Sequence, residues 1–222
     1  IGAIGRSKQI VIVGDPKQLP PTSFFQRMFD AEDSVESDEI TGIEESESIL
    51  DASLSLFKPP RRLTWHYRSR HENLIQFSNK YFYKDTLNVF PSPFRDDDEY
   101  GIKLINIPNG RFSGRKNMPE AQQIAKNVID HMAHFQDETL GVVAMNITQK
   151  ELIEDEVYSL LKKSPEAQMF DDIPKVNNES FFVKNLENVQ GDERDVIFIS
   201  ITYGPDDNGA IHQRFGPINT NT

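Results

Sequence analysis

Leu140-Gly141-Val142-Val143-Ala144-Met145-Asn146-Ile147-Thr148-Gln149-Lys150-Glu151 sets a strand directly against a helix start. The first six residues form a continuous apolar run, the pattern of a parallel strand buried on both faces. Thr148 to Glu151 has the spacing of a capping box, and Ile153, Val157, Leu160 and Leu161 follow at helical period. Upstream, Asn117-Met118-Pro119-Glu120 predicts a second capped helix. Its proline falls in the first turn, and Ala121, Ile124, Ala125, Val128, Ile129, Met132 and Phe135 share one face. A third box, Ser69 to Glu72, heads Leu74, Ile75, Phe77, Ser78, Tyr81 and Phe82. Downstream, Asp195 to Ile201 is predicted as the central strand. Gln9–Val13, Arg61–Thr64 and Gly101–Ile105 read as further strands, and Ser46 to Ser55 as a short helix. Strands alternating with helices mean an α/β fold with a mainly parallel sheet flanked by helices. Ligands then belong at the carboxyl ends of strands, in the loops after Val13, Thr64 and Met145.

Composition narrows the class. The 222 residues are 37% hydrophobic and 27% charged, as in an ordinary soluble globular chain. There is no cysteine, which excludes a disulfide scaffold and fits a cytoplasmic setting. The N-terminal apolar run, Ile10 to Val13, is far short of the roughly 18 residues of a membrane span. The net charge of -11 looks unfavourable for a nucleic-acid partner, but ten of the acidic residues lie between Asp30 and Asp51. Outside that stretch the chain carries 24 basic and 25 acidic residues, so a local basic groove remains open. The acidic stretch reads as a solvated insertion, or alternatively as a nucleic-acid mimic occupying a basic channel.

Three segments carry chemistry. Gly14-Asp15-Pro16-Lys17-Gln18-Leu19-Pro20-Pro21-Thr22 follows an apolar run. Gln18 there offers both a donor and an acceptor, as needed to orient a water beside a phosphate. The alternative is a rigid proline-rich turn. In Leu63-Thr64-Trp65-His66-Tyr67-Arg68-Ser69, the Arg68 guanidinium is placed to fork onto phosphate oxygens, or else to pair with a carboxylate. Tyr67 suits base stacking or core packing, and His66 reads as structural. In Leu186-Glu187-Asn188-Val189-Gln190-Gly191-Asp192-Glu193-Arg194-Asp195, Gly191 permits close backbone approach, and the Glu193 carboxylate can accept from two neighbouring hydroxyls. Alone, that segment is a charged turn before a strand.

In this order, these segments resemble motifs III, IV and V of superfamily 1 helicases. The likeness extends through Phe77-Ser78-Asn79-Lys80-Tyr81-Phe82-Tyr83, Asn117 to Ala121, and Gly141 to Met145 with Gln149. It is strongest to the branch that includes the nonsense-mediated-decay RNA helicase and many bacterial DNA and RNA helicases. The resemblance implies a RecA-like fold and an ATP-dependent helicase or translocase using ATP and Mg²⁺. By that resemblance residues 1–58 are the end of a first RecA-like domain, with the acidic insertion at 30–51. Residues 59–222 are a second RecA-like domain lacking its last motif. Gln18 is then the γ-phosphate sensor and Arg68 an arginine finger. Asp15, Tyr67, Gly191 and Glu193 border the nucleotide, with Tyr67 near adenine and Glu193 on the ribose. Pro20, Thr22, Asn146, Thr148 and Gln149 line the single-strand track, and no residue is assigned to a metal. The implied partners are single-stranded or duplex nucleic acid and the rest of a parent helicase, with self-association of a fragment. The rival readings are a non-catalytic nucleic-acid-binding module and an NTPase acting on protein partners.

No G-x-x-x-x-G-K-[ST] occurs in the 222 residues, so the phosphate cradle, its lysine and its Mg²⁺-binding hydroxyl are not among them. Positioning and electrostatics supply nearly all of phosphoryl-transfer catalysis. The 222-residue chain assayed alone is therefore expected to release no phosphate from ATP. Release above buffer that disappears in Gln18→Ala would contradict this.

Overall fold

The computed structural model describes Gly2 and residues 4–18, 48–93, 100–175 and 179–211. Pro20, Thr22 and most of the acidic stretch lie outside the described residues. The chain clusters into two units, Ile1–Ile105 and Asn106–Thr222. No described helix is long and apolar enough to cross a membrane.

The first unit holds helix α1 (Ile49–Leu56), strand β1 (Trp65–His66), helix α2 (Asn73–Phe82) and strand β2 (Asn88–Val89). The Asp51 N–H donates to Ser48 Oγ at 3.1 Å, so α1 is capped at Ser48 and begins at Ile49, three residues inside the expected start. Strands β1 and β2 pair in parallel, Trp65 opposite Asn88. Helix α2 starts later than its capping-box pattern predicts. Glu72 sits at the N-cap in helical conformation and makes no capping bond. The box fails because its members have other partners. Ser69 bonds the His66 ring, and Glu72 Oε2 accepts from the Ser92 N–H at 2.8 Å. Gln9–Val13 forms no ladder among the described residues, and Val11 and Val13 stand exposed. Gly101–Ile105 likewise forms no strand, and of Arg61–Thr64 only the Thr64 carbonyl joins a strand, accepting the Asn88 N–H at 2.6 Å, with the ladder itself falling at Trp65–His66. An apolar run becomes a strand only when a neighbour supplies its hydrogen bonds.

The second unit contains the buried apolar core. Its elements are α3 (Met118–His134), β3 (Leu140–Ala144), α4 (Ile147–Leu161), α5 (Pro165–Gln168), β4 (Phe182–Asn185) and β5 (Val196–Ser200). The three strands run parallel in the order β4-β3-β5. The two sheets are thus parallel and helix-flanked, an α/β architecture of the RecA-like kind. Strand β3, buried at all five positions, is central. Asp195–Ile201 was expected there, but β5 takes the edge of the described sheet. Its Ile197 and Ile199 are exposed while Val196 and Phe198 pack on the core. A strand buried on one face and one buried on both can carry the same apolar run, which is why composition misplaced it. Strand β4 carries only a short apolar run, Phe181-Phe182-Val183, and gave too little pattern to predict.

Helix α3 begins as expected: the Glu120 N–H donates to Asn117 Oδ1 at 3.4 Å and Pro119 sits in the first turn. Ala121, Ile124, Ala125, Val128 and Met132 then bury one face against Leu140, Val142, Leu152 and Ile153. Helix α4 starts two residues earlier than the Thr148 box implies. Asn146 is the cap, and its Oδ1 accepts from the Gln149 N–H at 2.8 Å. Gly141 lies opposite Phe182 on β4. A Cβ there would stand 2.6 Å from the ring, so glycine lets the aromatic lie flat across the strand.

Gln149 is fully buried. Its Oε1 accepts from the Asn117 N–H at 2.8 Å, while its Nε2 donates to Asn117 O at 3.1 Å and Ser200 Oγ at 3.3 Å. One side chain therefore joins the starts of α3 and α4 to the end of β5. Removing it leaves the buried Asn117 N–H without its acceptor, at about 1–3 kcal/mol, while the Asn117 carbonyl keeps the Ala121 N–H and Ser200 Oγ keeps Glu120. Gln149→Ala is expected to cost about 2–4 kcal/mol in denaturant unfolding. A loss below about 0.5 kcal/mol, the range of ordinary surface substitutions, would show that the amide does not hold the unit together.

Candidate functional site

The Asp15 loop is organised by one carboxylate. Oδ1 accepts from the Lys17 N–H at 2.9 Å, and Oδ2 accepts from Gln18 Nε2 at 3.4 Å. The Gln18 N–H returns to the Asp15 carbonyl at 3.2 Å, closing a turn. Asp15 and Gln18 are thereby brought together, with Gln18 exposed. Asp15 Oδ2 also accepts the Tyr83 hydroxyl at 2.5 Å, across 68 residues of sequence. Burial and the Asp15 charge push the Tyr83 phenol up to about 12. Tyr83 therefore stays protonated and donates throughout the physiological range.

Tyr67 and Arg68 sit in the turn after β1. Both are exposed, Tyr67 at 87%. The turn is closed by His66: the Ser69 N–H donates to His66 Nε2 at 3.2 Å, and Ser69 Oγ lies 2.8 Å from the same nitrogen. Accepting the amide proton requires a neutral ring. Partial burial and the neighbouring Arg68 charge both hold the His66 pKa below its ordinary value. His66 is structural, as expected, and it fixes the backbone that presents Arg68.

In the second unit, Gly191 and Glu193 lie in a turn fastened at three points. The Asp192 N–H donates to the Val189 carbonyl at 3.0 Å, and Lys184 Nζ pairs with Asp192 Oδ2 at 2.5 Å. Arg194 Nη2 donates to the Ser180 carbonyl at 2.9 Å, and Nη1 to the Glu193 carbonyl at 2.6 Å. The Asp195 carboxylate receives the Thr139 N–H at 2.9 Å and its hydroxyl at 2.7 Å. Gly191 has φ +89° with open space where a Cβ would be, so glycine is needed for the conformation. Glu193 is exposed on this turn.

Asn146, Thr148 and Gln149 meet a different outcome. Asn146 and Thr148 are half-buried at the start of α4. Gln149 is 0% exposed and its amide is engaged within the protein, so the expected contact of its side chain with a nucleic-acid backbone is not met in this structure. Its place on the track is implied by the family resemblance alone, and here the helix begins at Ile147 with Gln149 facing inward.

Two features escaped sequence reasoning. In the sequence Tyr83 reads only as the end of a helix that carries the family likeness, with no role of its own. Thr202 is fully buried with φ +67°, and the Tyr203 N–H reaches the Ile201 carbonyl at 2.6 Å, a three-residue turn rare for a β-branched residue. Glu120 Oε1 accepts from the Thr202 N–H at 3.1 Å, and Asn117 Nδ2 donates to its carbonyl at 3.1 Å. Helix α3 thus holds both sides of a strained residue at the carboxyl end of β5. Among the described residues no group of three or more His, Asp or Glu side chains is placed to hold a metal ion.

Parallel sheets flanked by helices, with polar loops at strand ends, are consistent with a RecA-like P-loop NTPase domain. The family model described as "AAA domain" matches residues 45–211. An "Uncharacterized ATP-dependent helicase MG140 homolog" of Mycoplasma pneumoniae is 32% identical over 220 residues, 96% of this chain and 19% of that protein. The "Uncharacterized ATP-dependent helicase MG140" of Mycoplasma genitalium is 32% identical over 221 residues, again 96% of this chain and 19% of the relative. No solved structure matches. The chain belongs to the AAA domain family, in its superfamily 1 helicase type. It spans about a fifth of the length of the curated relatives it matches.

The His66 turn makes a pH prediction. With the folded pKa depressed, the bond to Ser69 is fully present above about pH 6.5 and is lost as pH falls through the lower folded value. Arg68→Gln removes a cation that disfavours protonation, so it should raise the midpoint. Following the Ser69 amide by NMR from pH 7.5 to 4.5 tests both statements. A wild-type midpoint above 6.5, or one unmoved by Arg68→Gln, would contradict them.

Proposed function

We propose that the chain is part of an ATP-dependent nucleic-acid helicase or translocase and forms one wall of its ATP cleft and part of its single-strand track. The observation that carries this reading is 32% identity, over 96% of the chain, to two proteins named as ATP-dependent helicases. Residues 1–58 belong to the end of the first RecA-like domain and 59–222 to the second. The partners are single-stranded or duplex nucleic acid and the rest of the enzyme, the setting is cytoplasmic, and the isolated chain is inactive and self-associates.

ATP with Mg²⁺ supplies the reactive phosphoanhydride. The residues present suit one side of such a nucleotide. Gln18, held loosely by Asp15, orients a water at the terminal phosphate. Arg68 brings a planar cation to the charge that develops there. Tyr67 offers an exposed ring to adenine, the turn at Gly191 allows close approach, and Glu193 accepts from ribose hydroxyls. Pro20, Thr22, Asn146 and Thr148 remain the candidates for the strand track. Gln149 supports that track from inside, by positioning the start of α4.

Arginine fingers contribute about 10³ to 10⁵ in rate, because the contact strengthens in the transition state. In the full-length enzyme, Arg68→Ala is expected to lower kcat by two or more orders of magnitude, with little change in KM for ATP or affinity for single strands. Arg68→Lys should rescue poorly, since a point charge does not reproduce the fork. A stable Arg68→Ala enzyme with wild-type kcat would refute the assignment. A lowered Tm with kcat per folded molecule preserved would make Arg68 structural instead.

A further inference from the structure

Among the described residues the Asp15 loop is hydrogen-bonded across 68 residues of sequence to the Tyr83 side chain, and that tie has a rigid anchor. The backbone of Tyr83 caps α2, its N–H donating to the Asn79 and Ser78 carbonyls. Its own carbonyl accepts the Thr86 N–H at 3.1 Å and the Thr86 hydroxyl at 2.6 Å. Asn79 closes the same corner: its Nδ2 donates to Leu87 O at 3.1 Å and its Oδ1 accepts from Leu87 N–H at 3.0 Å. Lys84 and Asp85 complete the reversal in left-handed conformation, each at φ 56°. The phenol thus projects from a fixed corner.

Its target is shared. Asp15 Oδ2 takes the Tyr83 hydroxyl at 2.5 Å and the Gln18 amide at only 3.4 Å. The short bond fixes the carboxylate, and Oδ1 fixes the Lys17 amide at 2.9 Å. The long one leaves the Gln18 side chain weakly held and able to turn toward a ligand.

We propose that Tyr83 is a positioning residue. Through Asp15 it sets the conformation of the Gln18 loop and ties that loop to the corner that ends α2, so that movement of α2 alters how Gln18 is presented. This rests on the reading of Gln18 as the phosphate-sensing residue. On the 1–58 and 59–222 division, the bond also links the first RecA-like domain to the second. It would then tell the sensing loop the position of the second domain.

Two measurements test it, and they fail separately. In the 222-residue chain, Tyr83→Phe deletes only the hydroxyl. The Lys17 and Gln18 amide NMR signals should shift, and the tyrosine that resists ionisation at pH 11 should vanish from the absorbance titration. Asp15→Ala should lower the pH at which that tyrosine ionises, while burial still holds it above the ordinary value. Unmoved amides with an unchanged titration would overturn the link itself. In the full-length protein, Tyr83→Phe should lower ATPase kcat about tenfold while KM for ATP stays within about twofold. Tyr83→Phe combined with Asp15→Ala should be no worse than Asp15→Ala alone. An intact titration signature with wild-type kcat in Tyr83→Phe, or additive losses in the double variant, would overturn the positioning role. A wild-type protein without any ATPase activity would sink the helicase reading and this role with it, while the link would still be read by the first measurement.

Discussion

The buried amide of Gln149 is the interaction on which the second unit depends. A glutamine with no exposure must satisfy one acceptor and two donor hydrogens internally. It does so at the one place where the starts of α3 and α4 and the end of β5 meet. Apolar packing of α3 and α4 on the sheet supplies the bulk of the stabilisation but is indifferent to small slides. The amide is directional. It fixes which turn of each helix stands at the carboxyl edge of the sheet, where the chemistry of such folds is placed.

The same edge carries strain. Thr202 keeps a left-handed conformation because Asn117 and Glu120 bind its two flanking peptide groups. Such a residue persists only where its surroundings over-determine it. Glu120 was expected to reach back to its own helix start as the second half of a capping box. It binds Ser200 Oγ at 2.8 Å instead. A local rule was overridden because one Glu120 oxygen satisfies a buried hydroxyl and a buried N–H together, which is worth more than half a box.

The two candidate loops of the first unit are built differently. Each relies on one side chain that locks a turn: Asp15 for the loop with Gln18, His66 for the turn with Arg68. The exposed residues that would touch a ligand are presented by residues that would not. Such an arrangement lets a side chain move to a ligand while its backbone stays in place.

Much of this was legible beforehand. The apolar run at Leu140–Ala144, the helix with Pro119 in its first turn and the apolar period of α4 are local patterns, so the α/β class followed from them. The three chemical segments were legible because residue types at fixed spacing identify a family. What only tertiary structure decided were the partners of polar side chains. Ser69 and Glu72 spell a capping box and do not form one. Gln149, given a place on the strand track by resemblance, is buried. Tyr83 closes a family-like helix, and only the structure shows that it reaches Asp15. Gln9–Val13 has a strand's composition without a strand partner among the described residues. In each case the outcome depends on which donor or acceptor comes within about 3 Å in space. That pairing is set by the packing of distant segments, and local sequence does not encode it.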